Sequence, residues 1–225
     1  MNDLKTEIVG SYIREVSDSI HKLPMDTILQ IAEVIDDARF NRKRVFIFGN
    51  GGSAATASHF ACDLAKGGIV PREPRLRVVA LTDNMPLFSA WANDSCYDNV
   101  FSEQLENLVE SGDIVIGISG SGNSPNVLNA IRLARLAGAF TIAFAGFNGG
   151  KVKDVVNLCL TVPNYCMEQV EDIHLVLAHM ITLCVRTRAL EQSVVRDLAD
   201  ETQVSLTDSK DNRSPAFLSV VQNTR

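Results

Sequence analysis

Two pairs of residues give this sequence its capacity for chemistry. His59 and Asp63 are spaced i, i+4 in "SHFACDLAK", which on a helix puts an imidazole and a carboxylate on one face, a turn apart. Glu171 and His179 stand eight residues apart in "VEDIHLVLAHMI". A regular helix separates them by about 12 Å of rise, from which their side chains can still converge on one ion from opposite ends. Carboxylate and histidine together serve as a general base and acid. They also suit Zn²⁺, which takes neutral imidazole nitrogens and carboxylate oxygens. Each has a plainer reading. An HxxxD pair is more often a surface or half-buried pair, a histidine among apolar residues such as His179 is more often a satisfied core residue, and His174 reads as a partly buried polar histidine. His21 reads as a solvated helix residue.

Two loops can supply an anion site. In "GNGGSAATASHF", Gly49 to Phe60, glycines and serines follow an apolar run and open a helical pattern. In "ISGSGNSPN", Ile118 to Asn126, Ser119, Ser121 and Ser124 present hydroxyls. There Gly120 and Gly122 let backbone N–H groups turn inward, and Ser124 stands where it can cap the next helix. Gly49, Gly51 and Ala54 match a dinucleotide fingerprint, but the acidic residue expected about 20 positions on is missing, Asp83 coming much later. No GxxxxGK[ST] is present, which disfavours a nucleotide triphosphatase. The residues alone leave a dinucleotide, a nucleotide and a sugar phosphate as possible occupants. A pair of serine- and glycine-rich turns at helix starts favours a phosphate monoester, bound without a nucleotide cofactor.

The elements that must position these residues alternate regularly. Two helices fill residues 1–42, with Asp26 read as the N-cap of the second. The apolar runs "KRVFIFGN", "RVVALT", "DIVIGIS", "FTIAFAG" and "LCLTV" then read as strands separated by helices. This predicts an α/β fold, a doubly wound five-stranded parallel sheet flanked by helices. Ligands in such sheets sit at the carboxyl ends of the strands, where both loops lie. Residues 1–190 read as a single domain and residues 191–225 as a loosely ordered C-terminal tail.

Composition narrows the function classes. A chain of 225 residues, 46% hydrophobic and 21% charged, has material for one core. A net charge of −6 argues against non-specific nucleic-acid binding. No run reaches the roughly 18 apolar residues of a membrane span, and the N-terminus lacks a secretory pattern, so the chain reads as cytoplasmic. Five scattered cysteines without CxxC spacing read as buried reduced thiols.

"GNGGSAATASHFACDL", "AND" (Ala92 to Asp94), "GDIVIGISGSGNSPNVLNAI" and "VEDIHLVLAHMI" together resemble the sugar isomerase (SIS) domain, and within it the phosphoheptose isomerase branch. The resemblance spans roughly residues 1 to 190. It implies interconversion of sedoheptulose 7-phosphate and D-glycero-D-manno-heptose 7-phosphate by acid–base proton transfer through an enediolate. It also implies a divalent metal, Zn²⁺, and a homotetramer. Carried over residue by residue, His59, Asp63, Glu171 and His179 form the metal and acid–base set, with Asp63 the base, His179 the acid, and Glu171 an alternative base. Asn50, Gly51, Gly52, Ser53, Asn93, Asp94, Ser119, Gly120, Ser121 and Ser124 line the sugar-phosphate site. Two departures stand out: Asp63 replaces the family's glutamate and Glu171 its glutamine. Asp63 is one methylene shorter, which moves a base by about 1 Å. Glu171 adds negative charge, tightening a divalent cation while repelling an anionic intermediate. A second family, the DnaA initiator-associating proteins, resembles the chain over the same span but lacks the histidine and carboxylate set. A non-catalytic phosphosugar-binding or regulatory protein is thus the alternative expectation.

Overall fold

The computed structural model describes residues 2–211. Helices α1 (Asn2–Ile20) and α2 (Met25–Phe40) precede strand β1 (Arg44–Gly49). Next come α3 (Gly52–Cys62), a π-helical turn (Asp63–Gly67), β2 (Arg77–Ala80), α4 (Met85–Asp94) and α5 (Ser102–Glu106). The chain continues with β3 (Ile114–Ser119), α6 (Pro125–Leu136), β4 (Phe140–Ala145), β5 (Leu158–Thr161) and α7 (Met167–Asp211). The five strands form one parallel sheet in the order β2-β1-β3-β4-β5, as the alternation predicts.

The sheet is buried on both faces, which is why its central strands are continuous apolar runs rather than alternating ones. Successive side chains feed opposite cores. Val45, Ile47, Ile116, Ile118 and Phe144 join α2, α3 and α7 on one side. Phe46, Phe48, Val115, Ala143 and Ala145 join α5 and α6 on the other. Chain order reverses between β1 and β3, whose carboxyl ends lie side by side, Gly49 pairing with Ile118. The two glycine- and serine-rich loops therefore leave adjacent strands at the topological switch point, the crevice that this class of sheet offers to ligands.

Helix α7 is the longest element. Met167–Arg196 is long and apolar enough by composition to cross a membrane. Its apolar face is nevertheless core: Val170, Ile173, Leu177, Ala178, Ile181, Val185 and Ala189 are fully buried. The helix runs on to Asp211, into the segment read from sequence as a loose tail. No glycine or proline interrupts it there. Arg196 also anchors it, bonding Glu73 at 3.1 Å and lying over the Phe40 ring. Residues 212–225 of the expected tail lie outside the described residues.

Three local expectations need correction. Asp26 lies in the first turn of α2, not at its cap, which Pro24 occupies. The segment "KVKDVVN", where the alternation predicts a helix between the last two strands, forms only a 3-10 turn, Val152–Asp154. None of the cysteines is fully buried: Cys62 and Cys96 are exposed, and Cys159, Cys166 and Cys184 are intermediate. Cys62 faces outward because α3 turns Ala57, Phe60 and Ala61 to the core.

Candidate active site

Helices α3 and α7 each bring one histidine to a common point. His59 Nε2 lies 2.9 Å from His179 Nε2. Asp63 Oδ2 lies 3.3 Å from the first and 3.4 Å from the second. Among the described residues, His59, Asp63 and His179 form a group able to hold a metal ion. Four ligands around Zn²⁺ at about 2.0–2.1 Å stand about 3.3 Å from one another, so this triangle fits three corners of a tetrahedron. Three protein ligands with a fourth position open is the pattern of a catalytic site. Asp63 opens the π-helical turn Asp63–Gly67, a device frequent at functional sites.

Glu171 does not join that group. Its carboxylate lies against the backbone at Gly52, where any Cβ would run into it. The geometry follows from α3 and α7 running the same way. Gly52 lies beside Glu171, and two helical turns later His59 lies beside His179. A regular helix keeps Glu171 about 12 Å of rise from His179. The carboxylate thus sits at the positive end of α3, where an anion is favoured. Gly52 admits it by having no Cβ, and Gly51, with φ of +54°, makes the turn just before.

The second loop leaves β3. The Ser119 and Ser124 hydroxyls are 3.1 Å apart. Ser124 holds the N-cap position of α6, yet its side chain makes no capping bond, because it turns to Ser119 instead. The Ser121 hydroxyl accepts from the Asn123 N–H at 3.2 Å. Ser119 and Ser53 are nearly buried. Asn93 and Asp94 end α4, are exposed, and hydrogen-bond to each other at 2.7 Å and to neither loop.

Sequence reasoning missed two residues beside Asn50. Asn126 and Tyr97 both hydrogen-bond its side chain. The only signal was Asn126's place inside the quoted serine loop. His174 is also more deeply placed than expected, with 0% exposure in contact with Phe144. Neither ring nitrogen has a well-formed hydrogen bond. Burial pushes its pKa down to about 4, the Ala145 carbonyl opposing the shift.

The SIS domain pattern matches residues 11–146, and the chain belongs to the SIS-domain family. The chain is 41% identical over 170 residues to a probable phosphoheptose isomerase of Thermoplasma acidophilum, an alignment covering 76% of this chain and 93% of the relative. It is 37% identical over 179 residues to the phosphoheptose isomerase of Aquifex aeolicus, covering 80% and 93%. The solved phosphoheptose isomerase of Neisseria gonorrhoeae superposes with a TM-score of 0.75 at 30% identity, covering 83% of this chain and 98% of that one. Within the family the chain is an isomerase of the phosphoheptose branch, and the alternative of a non-catalytic binding protein is set aside.

Proposed function

We propose that the protein interconverts sedoheptulose 7-phosphate and D-glycero-D-manno-heptose 7-phosphate in the cytoplasm as a homotetramer. The single observation that carries this reading is the His59, Asp63, His179 triangle, its His59 carried on the helix that leaves one of two anion-type loops at the switch point. With Glu171 occupying the start of α3, the phosphate falls to Ser119, Gly120, Ser121 and Ser124. The sugar then extends past Asn50, Gly51, Gly52 and Ser53, with Asn93 and Asp94 at its hydroxyls. The reading takes residues 1–190 as one functional unit.

A base removes a proton from C1 of the ketose, and the electron pair moves into the C1–C2 bond and onto O2. An acid protonates O2. Protonation at C2, with loss of the O1 proton, completes the aldose. Asp63 serves as base and His179 as acid. His59, Asp63 and His179 would hold the divalent ion, Zn²⁺ by donor type. When bound, it supplies positive charge that stabilises negative charge developing on sugar oxygen.

One observation favours a second assignment of the base. Asp63 Oδ2 already faces both histidines, whereas Glu171 stands apart from them. Isomerase assay on sedoheptulose 7-phosphate, after metal removal and Zn²⁺ reloading, tests the reading. Turnover should return with metal and fall by about 10²–10⁴-fold in His179→Ala and in the variant lacking the base. If Asp63→Asn loses metal but Glu171→Gln keeps metal and loses turnover, Glu171 is the base. No turnover by the metal-loaded wild type sinks the substrate assignment.

A further inference from the structure

The Asn50 side chain is held from two sides. Asn126, on the first turn of α6, is 1% exposed and pairs reciprocally with it. Asn50 Nδ2 donates to Asn126 Oδ1 at 2.9 Å, and Asn126 Nδ2 donates to Asn50 Oδ1 at 2.8 Å. An amide pair can in principle be drawn with both ends exchanged. A third partner removes that ambiguity. The Val127 backbone N–H donates to Asn126 at 3.0 Å. A backbone N–H can only donate, so the atom it meets is oxygen, and the atom of Asn50 facing that oxygen is nitrogen. The Tyr97 hydroxyl then donates to Asn50 Oδ1 at 3.0 Å.

The inventory of a primary amide is two N–H donors and two acceptor lone pairs. Asn126 and Tyr97 together occupy both lone pairs of Asn50 Oδ1. The reciprocal ring uses the N–H on the same side as the oxygen. One N–H remains.

We propose that Asn126 and Tyr97 are positioning residues that lock Asn50 as a one-way donor, offering that last N–H to an oxygen of the sugar phosphate. The polarity originates at the first turn of α6 and is handed through Asn126 to the other loop. A plain strut between the loops would need only the reciprocal pair. The Tyr97 bond goes further, because it removes the remaining acceptor capacity and leaves Asn50 able to meet an oxygen but not a hydroxyl proton. Tyr97 is half-exposed, its ring edge-on to Phe88 at 5.8 Å, so it comes from outside the core to do this. A donor fixed before the ligand arrives needs no reorganisation when negative charge develops on that oxygen. The identity of the oxygen rests on the isomerase reading, whereas the lock itself does not.

A double-mutant cycle tests it. Asn50→Ala should lower kcat by about 10²-fold, the scale of a lost oxyanion donor. Asn126→Ala should cost roughly tenfold through misplacement, and Tyr97→Phe a factor of about 3 through one neutral hydrogen bond. In the Asn50→Ala background neither should cost anything further, because both act through Asn50. Losses that multiply in the double variants overturn the proposal. Asn126→Ala leaves the Val127 N–H without its acceptor and can destabilise α6, so Tyr97→Phe at an exposed ring carries the test if that variant misfolds. A readout independent of turnover is the Asn50 side-chain amide signal in ¹⁵N-labelled protein, assigned by its absence in Asn50→Ala. One of its hydrogens should be protected from exchange with water, and Asn126→Ala should abolish the protection. Free exchange of both hydrogens in the wild type refutes the lock whatever the activity. Protection in a protein inactive on the sugar phosphate supports the lock and refutes the substrate assignment instead.

Discussion

At the scale of single residues, His174 links the site helix to stability. It lies on α7 between Glu171 and His179, fully buried, with its pKa moved from 6.5 to about 4 by burial. Between those values the unfolded chain takes up a proton that the folded chain refuses. The neutral ring's contribution is therefore intact above pH 6.5 and is lost as pH falls toward 4. Urea unfolding should show about 2 kcal/mol lost between pH 6.5 and pH 5. His174→Leu should flatten that part of the profile; an unchanged slope would mean that His174 does not titrate this way. Tyr12 shows the opposite case at the surface. Its hydroxyl donates to Asp172 at 2.6 Å, and that bond raises its pKa to about 12.

At the scale of elements, a buried ion pair ties the loop between the π-helical turn and β2 to α2. Arg39 on α2 bonds Asp36 at 2.8 Å, with both side chains at 0% exposure. It also donates to the carbonyls of Gly68 and Pro74. Burial pushes the Asp36 carboxyl up despite Arg39. Arg39→Met removes the hydrogen-bonded partner of Asp36, leaving it only the Arg188 guanidinium at 3.9 Å, and should cost about 3–5 kcal/mol by urea denaturation. A loss under 1 kcal/mol would mean that the pair is replaceable. The strands, and the loops after β1 and β3, were legible because burial on both faces leaves unbroken apolar runs ending in glycine and serine. The π-helical turn was not, since no residue type separates it from a continuing helix. The end of α7 was misjudged because growing polarity resembles a tail, while helix formers without glycine or proline keep the helix going. His59, Asp63 and His179 could be chosen by type and spacing. Their meeting was expected from the family resemblance alone, and the Asn50–Asn126 pair from nothing in the sequence, because contacts spanning 120 and 76 residues leave no periodic trace. Glu171 was grouped with the histidines because its type is right, but the parallel course of α3 and α7 takes it to Gly52.

For the molecule as a whole, α1 presents apolar residues to the outside. Leu4 is 65% exposed, Ile8 and Val9 59%, and Ile13 63%. An uncovered apolar stripe of this kind is the surface that the proposed tetramer would bury. Light scattering should give a tetramer mass for the wild type and a smaller species for Ile8→Glu combined with Ile13→Glu. An unchanged mass would place the contact elsewhere. The pairing of α3 with α7 has a consequence for how the enzyme is made. Its two histidines are 120 residues apart, and the second lies on the last helix of the described chain. A nascent chain on the ribosome can complete its sheet around β1 and β3 while α7 is still inside the exit tunnel. During that interval it carries one histidine and one carboxylate, too few to hold an ion. The triangle of His59, Asp63 and His179 can thereby close only once α7 has emerged and packed against α3, and a chain truncated before α7 is released without it.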